Sequence, residues 1–281
     1  MAAASAIGMD LDAIAVALRN RRHGLTRAHR FTRWSASPMG EIAEMPGGWS
    51  DDRLLDICRH AMRQLATSTA VFERYRPEEI GLFIGTTTAG LRTTLQSMTQ
   101  FLEASEPKHY RDFVQRSDQH GRLSADLKRE FPIRGFDAVV STACSAGALA
   151  IAEARDAIRA GVCRAAIAGG FDVLSEITIN GFQALQVVDD EFCRPFSPDR
   201  RGMNLAEGGG FLLLEGNALE PLAQLCGVGT ASEGYHMTHP DPSGEGMRLT
   251  MMRALTDAGI DGQRIDYINA HGTGTIANDQ C

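Results

Sequence analysis

Residues 136–170 read FDAVVSTACSAGALAIAEARDAIRAGVCRAAIAGG. The apolar run Phe136–Thr142 predicts a strand, the Ala-rich stretch Ser145–Ala160 a buried helix that stops at Gly161, and Ala165–Gly170 a second buried strand. Strand, helix and strand in so short a span imply a crossover and parallel pairing, which selects an α/β fold. Cys144 falls on the join, flanked by the small residues Ala143, Ser145, Ala146 and Gly147. A thiol at a helix N-terminus meets unpaired amides and the positive end of the dipole, which favours thiolate. A neighbouring backbone N–H can hold an oxyanion, so the stretch reads as a nucleophile elbow built on Cys. The competing reading of Cys144 is a small buried core residue.

Working outward, Ile80–Thr86 predicts another buried strand, followed by a Thr- and Gly-rich turn, Thr86–Gly90, that opens a helix. Leu11, Ile14, Ala15 and Leu18 recur at helical spacing, so a helix opens the chain and the strand before it is short or absent. Asp51 and Asp52 can cap a further helix whose apolar face is Leu54, Leu55, Cys58, Met62 and Leu65. Asp118–Glu130 is polar and reads as surface. Downstream, Phe211–Glu215, Leu222–Gly229 and Ile265–Ala270 predict strands, and Glu245–Gly259 a helix. Gly216–Pro221 is a seam, giving an N-terminal half over 1–216 and the start of a second half over 217–281.

Of the 281 residues, 43% are hydrophobic and 22% charged, which excludes disorder, collagen and coiled coil. A net charge of -7 supplies no global basic field for nucleic acid or an anionic membrane. The cysteines at 58, 144, 163, 193, 226 and 281 form no C-x-x-C pair and have no His at zinc spacing, so neither a disulfide framework nor a metal site is expected. The uncharged stretch Ala138–Ala152 falls short of the ~20 residues of a spanning helix, so no membrane association is expected. Ala13–Gly40 carries six Arg and no acid, superficially like a transit peptide, but Asp10 and Asp12 oppose that reading and a cytoplasmic location is expected.

A second stretch, Tyr267–Thr275, reads YINAHGTGT and runs a predicted strand into His271 on a Gly- and Thr-rich turn. Open α/β sheets bind ligands beyond the carboxyl ends of their strands, so Cys144 and His271 are expected to share one pocket, with Thr273 and Thr275 offering hydroxyls. A turn-capping His is the plainer alternative. Cys144, His271 and Asn269 are also the residue types of a cysteine protease, although the local protease signatures are absent. Gly272, Gly274 and Ala277 satisfy G-x-G-x-x-A, without an acidic residue ~20 positions on to complete a dinucleotide fingerprint.

Four ordered motifs resemble the β-ketoacyl synthase family of the thiolase fold: STACSAG at 141–147, AIAGGFD at 166–172, RPFSPDRRGMNLAEGGGFLLLE at 194–215 and NAHGTGT at 269–275. The resemblance extends from about Ser5 to the end. It implies a layered α-β-α-β-α fold, here the N-terminal half plus the beginning of the C-terminal half. It also implies decarboxylative Claisen condensation in fatty acid, polyketide or polyene biosynthesis. Cys144 would take an acyl group from a carrier thioester, and His271 would hydrogen-bond the carbonyl of a malonyl thioester as it loses carbon dioxide. Thr273 and Thr275 match positions that contact the phosphopantetheine arm, Phe182 resembles an aromatic lining the acyl pocket, and Asn269 is a candidate structural-ion ligand. No resident cofactor is implied, because the phosphopantetheine arrives on the carrier protein. Acyl carrier protein is the implied partner, with Arg53, Arg59 and Arg63 as candidate docking residues. A homodimer or heterodimer with a ketosynthase-like subunit is also implied, paired through the AIAGG strand.

Three features depart from the family pattern. A second catalytic His, a Lys and a Gly-Phe-Gly-Gly loop follow HGTGT in the family but are not among these residues, so condensation by this stretch alone is not expected. The beginning, MAAASAIG, retains only the end of the usual first strand. Ala206 stands where Gly often precedes the loop Glu, and Arg201 where Asp often follows Arg. The main alternative is a non-catalytic ketosynthase-like subunit of a heterodimer, which typically lacks the nucleophile. A thiolase acting on coenzyme A thioesters is the other, and HGTGT resembles the carrier-dependent enzymes more closely.

Overall fold

A computed structural model describes residues 1–104, 119–236 and 239–281. The chain forms two compact units, residues 1–181 with 205–218, and residues 182–204 with 219–281.

The first unit is organised by a five-stranded mixed sheet. Its strands are β1 (Ala2–Ser5), β4 (Ile80–Gly85), β5 (Asp137–Val140), β6 (Ala165–Asp172) and β7 (Gly208–Glu215), in the order β1-β7-β6-β4-β5. β4 runs parallel to both β5 and β6, whereas β7 is antiparallel to β6 and β1. A separate small ribbon pairs β2 (Leu25–Thr26) with β3 (Met39–Gly40). The sequence leaves the first strand short or absent; four residues suffice, because β7 supplies a ready ladder for Ala2–Ser5.

The pleat divides the core between two faces. Leu82 and Ile84 of β4, with Ile167 and Phe171 of β6, join one cluster; Phe83, Ala166 and Ala168 join the other. Side chains alternate across a strand, so each face meets its own helix layer. The first face is covered by α2 (Arg53–Thr69), which buries Leu54, Leu55, Cys58, Met62 and Leu65 as its spacing predicts. Asp52 caps it, accepting a hydrogen bond from the Leu55 amide at 3.0 Å. The chain continues through α3 (Val71–Arg74), α4 (Leu91–Ala104) and α5 (Gln119–Glu130). The second face is covered by α6 (Ala146–Arg159), whose Ala150 and Ala154 pack on Phe83 and Val140. Opening the chain, α1 (Leu11–Arg19) is capped by Asp10, whose carboxylate accepts from the Ala13 amide at 2.7 Å.

In the second unit, Asn204 gathers residues 189–193. Its side chain donates to the Asp189 and Glu191 carbonyls and accepts from the Cys193 amide at 2.7 Å. α7 (Glu176–Ala184) leads into this segment, α8 (Glu245–Ala258) ends at Gly259 with φ of 66°, and α9 (Ile276–Gln280) follows the HGTGT loop.

Several expectations are corrected. Asp118 lies outside the described residues, but 119–130 is not simply surface: Leu123 and Leu127, one turn apart, are buried in the first core cluster. Two apolar residues at i, i+4 spacing anchor a helix whose average polarity hides them. Residues 222–229 and 265–270 pair with no strand among the described residues. The first instead lies along α8, where the Val228 amide donates to Asp257 at 2.8 Å. Apolar β-type composition becomes a strand only where a ladder partner exists. The AIAGG strand is not an edge. β6 is paired on both sides, and its glycines serve close packing, since a Cβ on Gly169 would run into the Gly210 carbonyl.

Candidate active site

Cys144 follows β5 at the carboxyl end of the parallel strands, in a 3₁₀ turn (Ala143–Ser145) that leads into α6. Ala143 takes φ of 52°, a left-handed conformation that costs a non-glycine residue about 1–2 kcal/mol. Ser145 helps hold the turn, its hydroxyl donating to the Thr142 carbonyl at 2.7 Å. The Cys144 side chain is left exposed, whereas Cys58 and Cys163 are buried. Burial pushes the Cys58 thiol far above its ordinary value and raises Cys163 as well, which suppresses thiolate at both.

Glycine lets the elbow sit tightly on the sheet. A Cβ on Gly85, the last residue of β4, would strike the Ala146 carbonyl, and one on Gly170 would stand 2.8 Å from the Gly147 Cα. The first turn of α6 therefore rests directly on backbone. Beside it, Asp172 at the end of β6 holds the turn after β4. Its carboxylate accepts from the Thr87 and Thr88 amides at 2.8 and 2.9 Å and from the hydroxyls of Thr86, Thr87 and Thr88 at 3.0, 3.1 and 2.8 Å.

The second unit carries the other motif. His271 is exposed, and the loop turns at Gly272 and Gly274 with φ of 52° and 79°. The Thr273 and Thr275 hydroxyls lie 2.9 Å apart, and Thr275 caps α9 by accepting from the Asn278 amide. Asp279, with no exposed side-chain surface, ties this loop to residues 194–202. It accepts from the Phe196 amide at 2.7 Å, the Gly274 amide at 3.2 Å and the Asn278 side chain at 3.0 Å, with the Arg200 guanidinium at 3.8 Å. Burial pushes this carboxyl up, but those donors outweigh it and hold Asp279 below the ordinary aspartate value.

The structure therefore brings Thr273 and Thr275 together in the loop of His271, while Cys144 belongs to the other unit. Phe182 is half-buried in α7, and Asn269 is exposed. Two candidate docking arginines are already committed. Arg53 is buried, its Nε donating to both Glu207 carboxylate oxygens at 3.0 Å and its guanidinium lying over the Trp49 ring, and Arg59 pairs with Glu130 and Asp56. Arg63 remains exposed. Sequence reasoning missed the roles of Asp172, Glu207 and Asp279. Each is an acid next to a glycine-bearing motif, the only signal available before the fold shows which amides they face. Among the described residues no cluster of His, Cys, Asp and Glu is arranged to hold a metal ion, and no helix is long and apolar enough to cross a membrane.

This mixed sheet, with a cysteine elbow at its carboxyl end, is a thiolase-like fold. Residues 52–218 match the N-terminal domain of beta-ketoacyl synthase and residues 222–281 its C-terminal domain, so the chain belongs to the β-ketoacyl synthase family. It is 39% identical over 167 residues to Nodulation protein E of Rhizobium leguminosarum bv. trifolii, covering 57% of this chain and 40% of that protein. It is 32% identical over 217 residues to 3-oxoacyl-[acyl-carrier-protein] synthase 2 of Staphylococcus aureus, covering 72% of this chain and 53% of that one. The chain thus spans about half the length of the curated relatives it matches. Among solved structures it resembles a ketosynthase in complex with its chain length factor from Xenorhabdus doucetiae, at TM-score 0.86 and 32% identity, covering 99% of this chain and 72% of that one.

Proposed function

We propose that this chain supplies the acyl-accepting chemistry of a β-ketoacyl-[acyl-carrier-protein] synthase. The observation that carries the reading is the Cys144 elbow, with its strained Ala143, its exposed thiol and a helix N-terminus seated on glycine. The Cys144 thiolate attacks the carbonyl carbon of an acyl thioester, the tetrahedral oxyanion rests on the backbone N–H of Cys144, and the C–S bond to the donor breaks to expel a thiolate that takes a proton from water. The acyl group then sits on sulfur. A malonyl thioester loses carbon dioxide, His271 donates a hydrogen bond to the enolate oxygen, and the enolate carbon attacks the acyl carbonyl. Cys144 is released and a β-ketoacyl thioester leaves. Thr273 and Thr275 receive the arm of the carrier-bound substrate, and Phe182 lines the acyl channel.

The thiol-release assay is the direct test. With octanoyl-N-acetylcysteamine as donor, a burst of one thiol per chain is expected, and none from Cys144→Ala. An equal burst from that variant contradicts the reading.

A second reading, a ketosynthase-like subunit within a heterodimer, is favoured by the chain length factor complex among the related structures. Retention of Cys144 makes this chain the catalytic member of such a pair. Since β6 is enclosed, the proposed pairing uses the side of β5, the strand next to the elbow, that pairs with no strand among the described residues. Sedimentation at micromolar concentration should show a dimer, alone or with its partner subunit; a folded monomer under both conditions contradicts this.

A further inference from the structure

Among the described residues, Phe196 is the only aromatic residue whose backbone lies in the left-handed region, with φ of 61°. That conformation crowds a Cβ against the following carbonyl oxygen and is rare for a bulky side chain, a form of strain that functional sites hold. Burial does not explain it, because Phe196 is 59% exposed. The backbone around it is tied instead. The Phe196 amide donates to Asp279 Oδ2 at 2.7 Å, the Ser197 amide to the Arg194 carbonyl at 3.1 Å, and the Arg200 amide and side chain to the Ser197 carbonyl at 3.2 and 2.9 Å.

This stretch and the HGTGT loop, both within the second unit, interlock at two glycines. A Cβ on Gly272 would stand 3.2 Å from Cε2 and 3.7 Å from Cζ of the Phe196 ring, and one on Gly274 would stand 2.5 Å from the Gly202 carbonyl oxygen. The ring edge therefore rests on the open face of Gly272, the residue after His271. Asp279 ties the same two segments, one oxygen accepting from the Phe196 amide and the other from the Gly274 amide. His271 itself is exposed and makes no hydrogen bond or ion pair among the described residues, so its direction is inherited from the backbone beside it. Gly272 turns that backbone at φ of 52°. Having no Cβ to restrict its own dihedrals, it takes its constraint from outside.

We infer that Phe196 is a positioning residue for His271, an inference that rests on the function proposed above. Its flat ring, held out of the core by strained backbone, props Gly272 and sets the angle at which the imidazole meets a thioester carbonyl. A hydrogen bond of that kind is directional and weakens steeply when bent, so a small rotation of the loop costs the contact.

The test is NMR on the 281-residue chain with the rings of its eight histidines labelled, the His271 signal being the one lost in His271→Ala. The probe is malonyl-pantetheine amide, in which nitrogen replaces the thioester sulfur so that no acyl transfer follows. In the parent, the Phe196 ring should show a nuclear Overhauser contact to the Gly272 α-protons, and the probe should shift the His271 signal saturably. Phe196→Asn, chosen because Asn tolerates the left-handed region, should keep the parental urea midpoint yet displace the His271 signal and need about tenfold or more probe for the same response. Phe196→Leu, apolar but without a flat ring, should move in the same direction and decides the matter if the Asn variant does not fold. Phe196→Tyr keeps the ring and should match the parent. A His271 signal and response unchanged in Phe196→Leu, a Phe196→Tyr variant as disturbed as Phe196→Leu, or equal displacement of the His29 and His60 signals of the first unit overturns the inference. Should the parental His271 signal ignore the probe while still depending on Phe196, the positioning contact stands and the proposed reaction falls.

Discussion

Gly147 and Gly170 meet backbone to backbone: a Cβ on Gly170 would stand 2.8 Å from the Gly147 Cα, whereas one on Gly147 would stand 3.3 Å from the Gly170 Cα. The two directions are unequal, so the two substitutions should be too. Gly170→Ala is expected to lift the first turn of α6, costing about 1–3 kcal/mol and slowing alkylation of Cys144. Gly147→Ala lies in a helix, gains propensity, and should stay within about 1 kcal/mol of the parent. Denaturant unfolding and the rate of iodoacetamide labelling check both.

Asp172 accepts five hydrogen bonds from one turn, four of them through a single oxygen. Asp172→Asn can keep that oxygen as acceptor and should cost about 1 kcal/mol, while Asp172→Ala leaves the Thr87 and Thr88 amides without their acceptor and should cost about 2–3 kcal/mol. Unfolding midpoints in urea measure the difference; equal costs would show that the turn holds without the carboxylate.

The sequence made the nucleophile unit legible because each element there is defined by its own pattern. Ile80–Gly85 and Ala165–Asp172 are continuous apolar runs, Ser145–Ala160 is Ala-rich, and the face Leu54 to Leu65 has helical spacing. What escaped depends on partners distant in the chain. Leu222–Gly229 has strand composition but lies on a helix, and the small residues of AIAGG reflect the approach of Gly210 and Gly147 rather than an edge. Asp172, Glu207 and Asp279 look like ordinary acids until the fold shows which amides face them. Cys144 and His271 were legible as motif residues; the carboxylates that shape their loops were not.

Asp279 should make the second unit acid-sensitive. Its folded carboxyl lies below the ordinary value, so its contribution is complete above the unfolded aspartate pKa of ~3.9 and is lost as pH falls through the lower folded value. Asp279→Asn is therefore expected to destabilise the chain at pH 7, with the gap to the parent closing below about pH 4. Unfolding at pH 7 and pH 3 checks the sign; a gap that widens at pH 3 contradicts it.

Arg53 and Glu207 form a buried pair whose partners also serve Ile42: the Ile42 amide donates to Glu207 at 2.8 Å, and its carbonyl accepts from Arg53. Arg53→Met leaves the buried Glu207 carboxylate to the Arg30 guanidinium at 3.8 Å and the Ile42 amide, and should cost about 3 kcal/mol. Arg53→Met/Glu207→Gln removes that under-compensated charge while keeping an acceptor for Ile42, so it should recover part of that loss. A double variant as unstable as Arg53→Met alone would place the effect in packing against Trp49 instead.

Peptide mass spectrometry shows which cysteine accepts the acyl group. The chain is incubated with an acyl-carrier thioester or a cerulenin-like electrophile, digested, and each cysteine peptide weighed. The expected result is one adduct on the peptide containing Cys144, absent from Cys144→Ala. An adduct on Cys58, Cys163, Cys193, Cys226 or Cys281, with Cys144 unmodified, would show that Cys144 is not the acceptor.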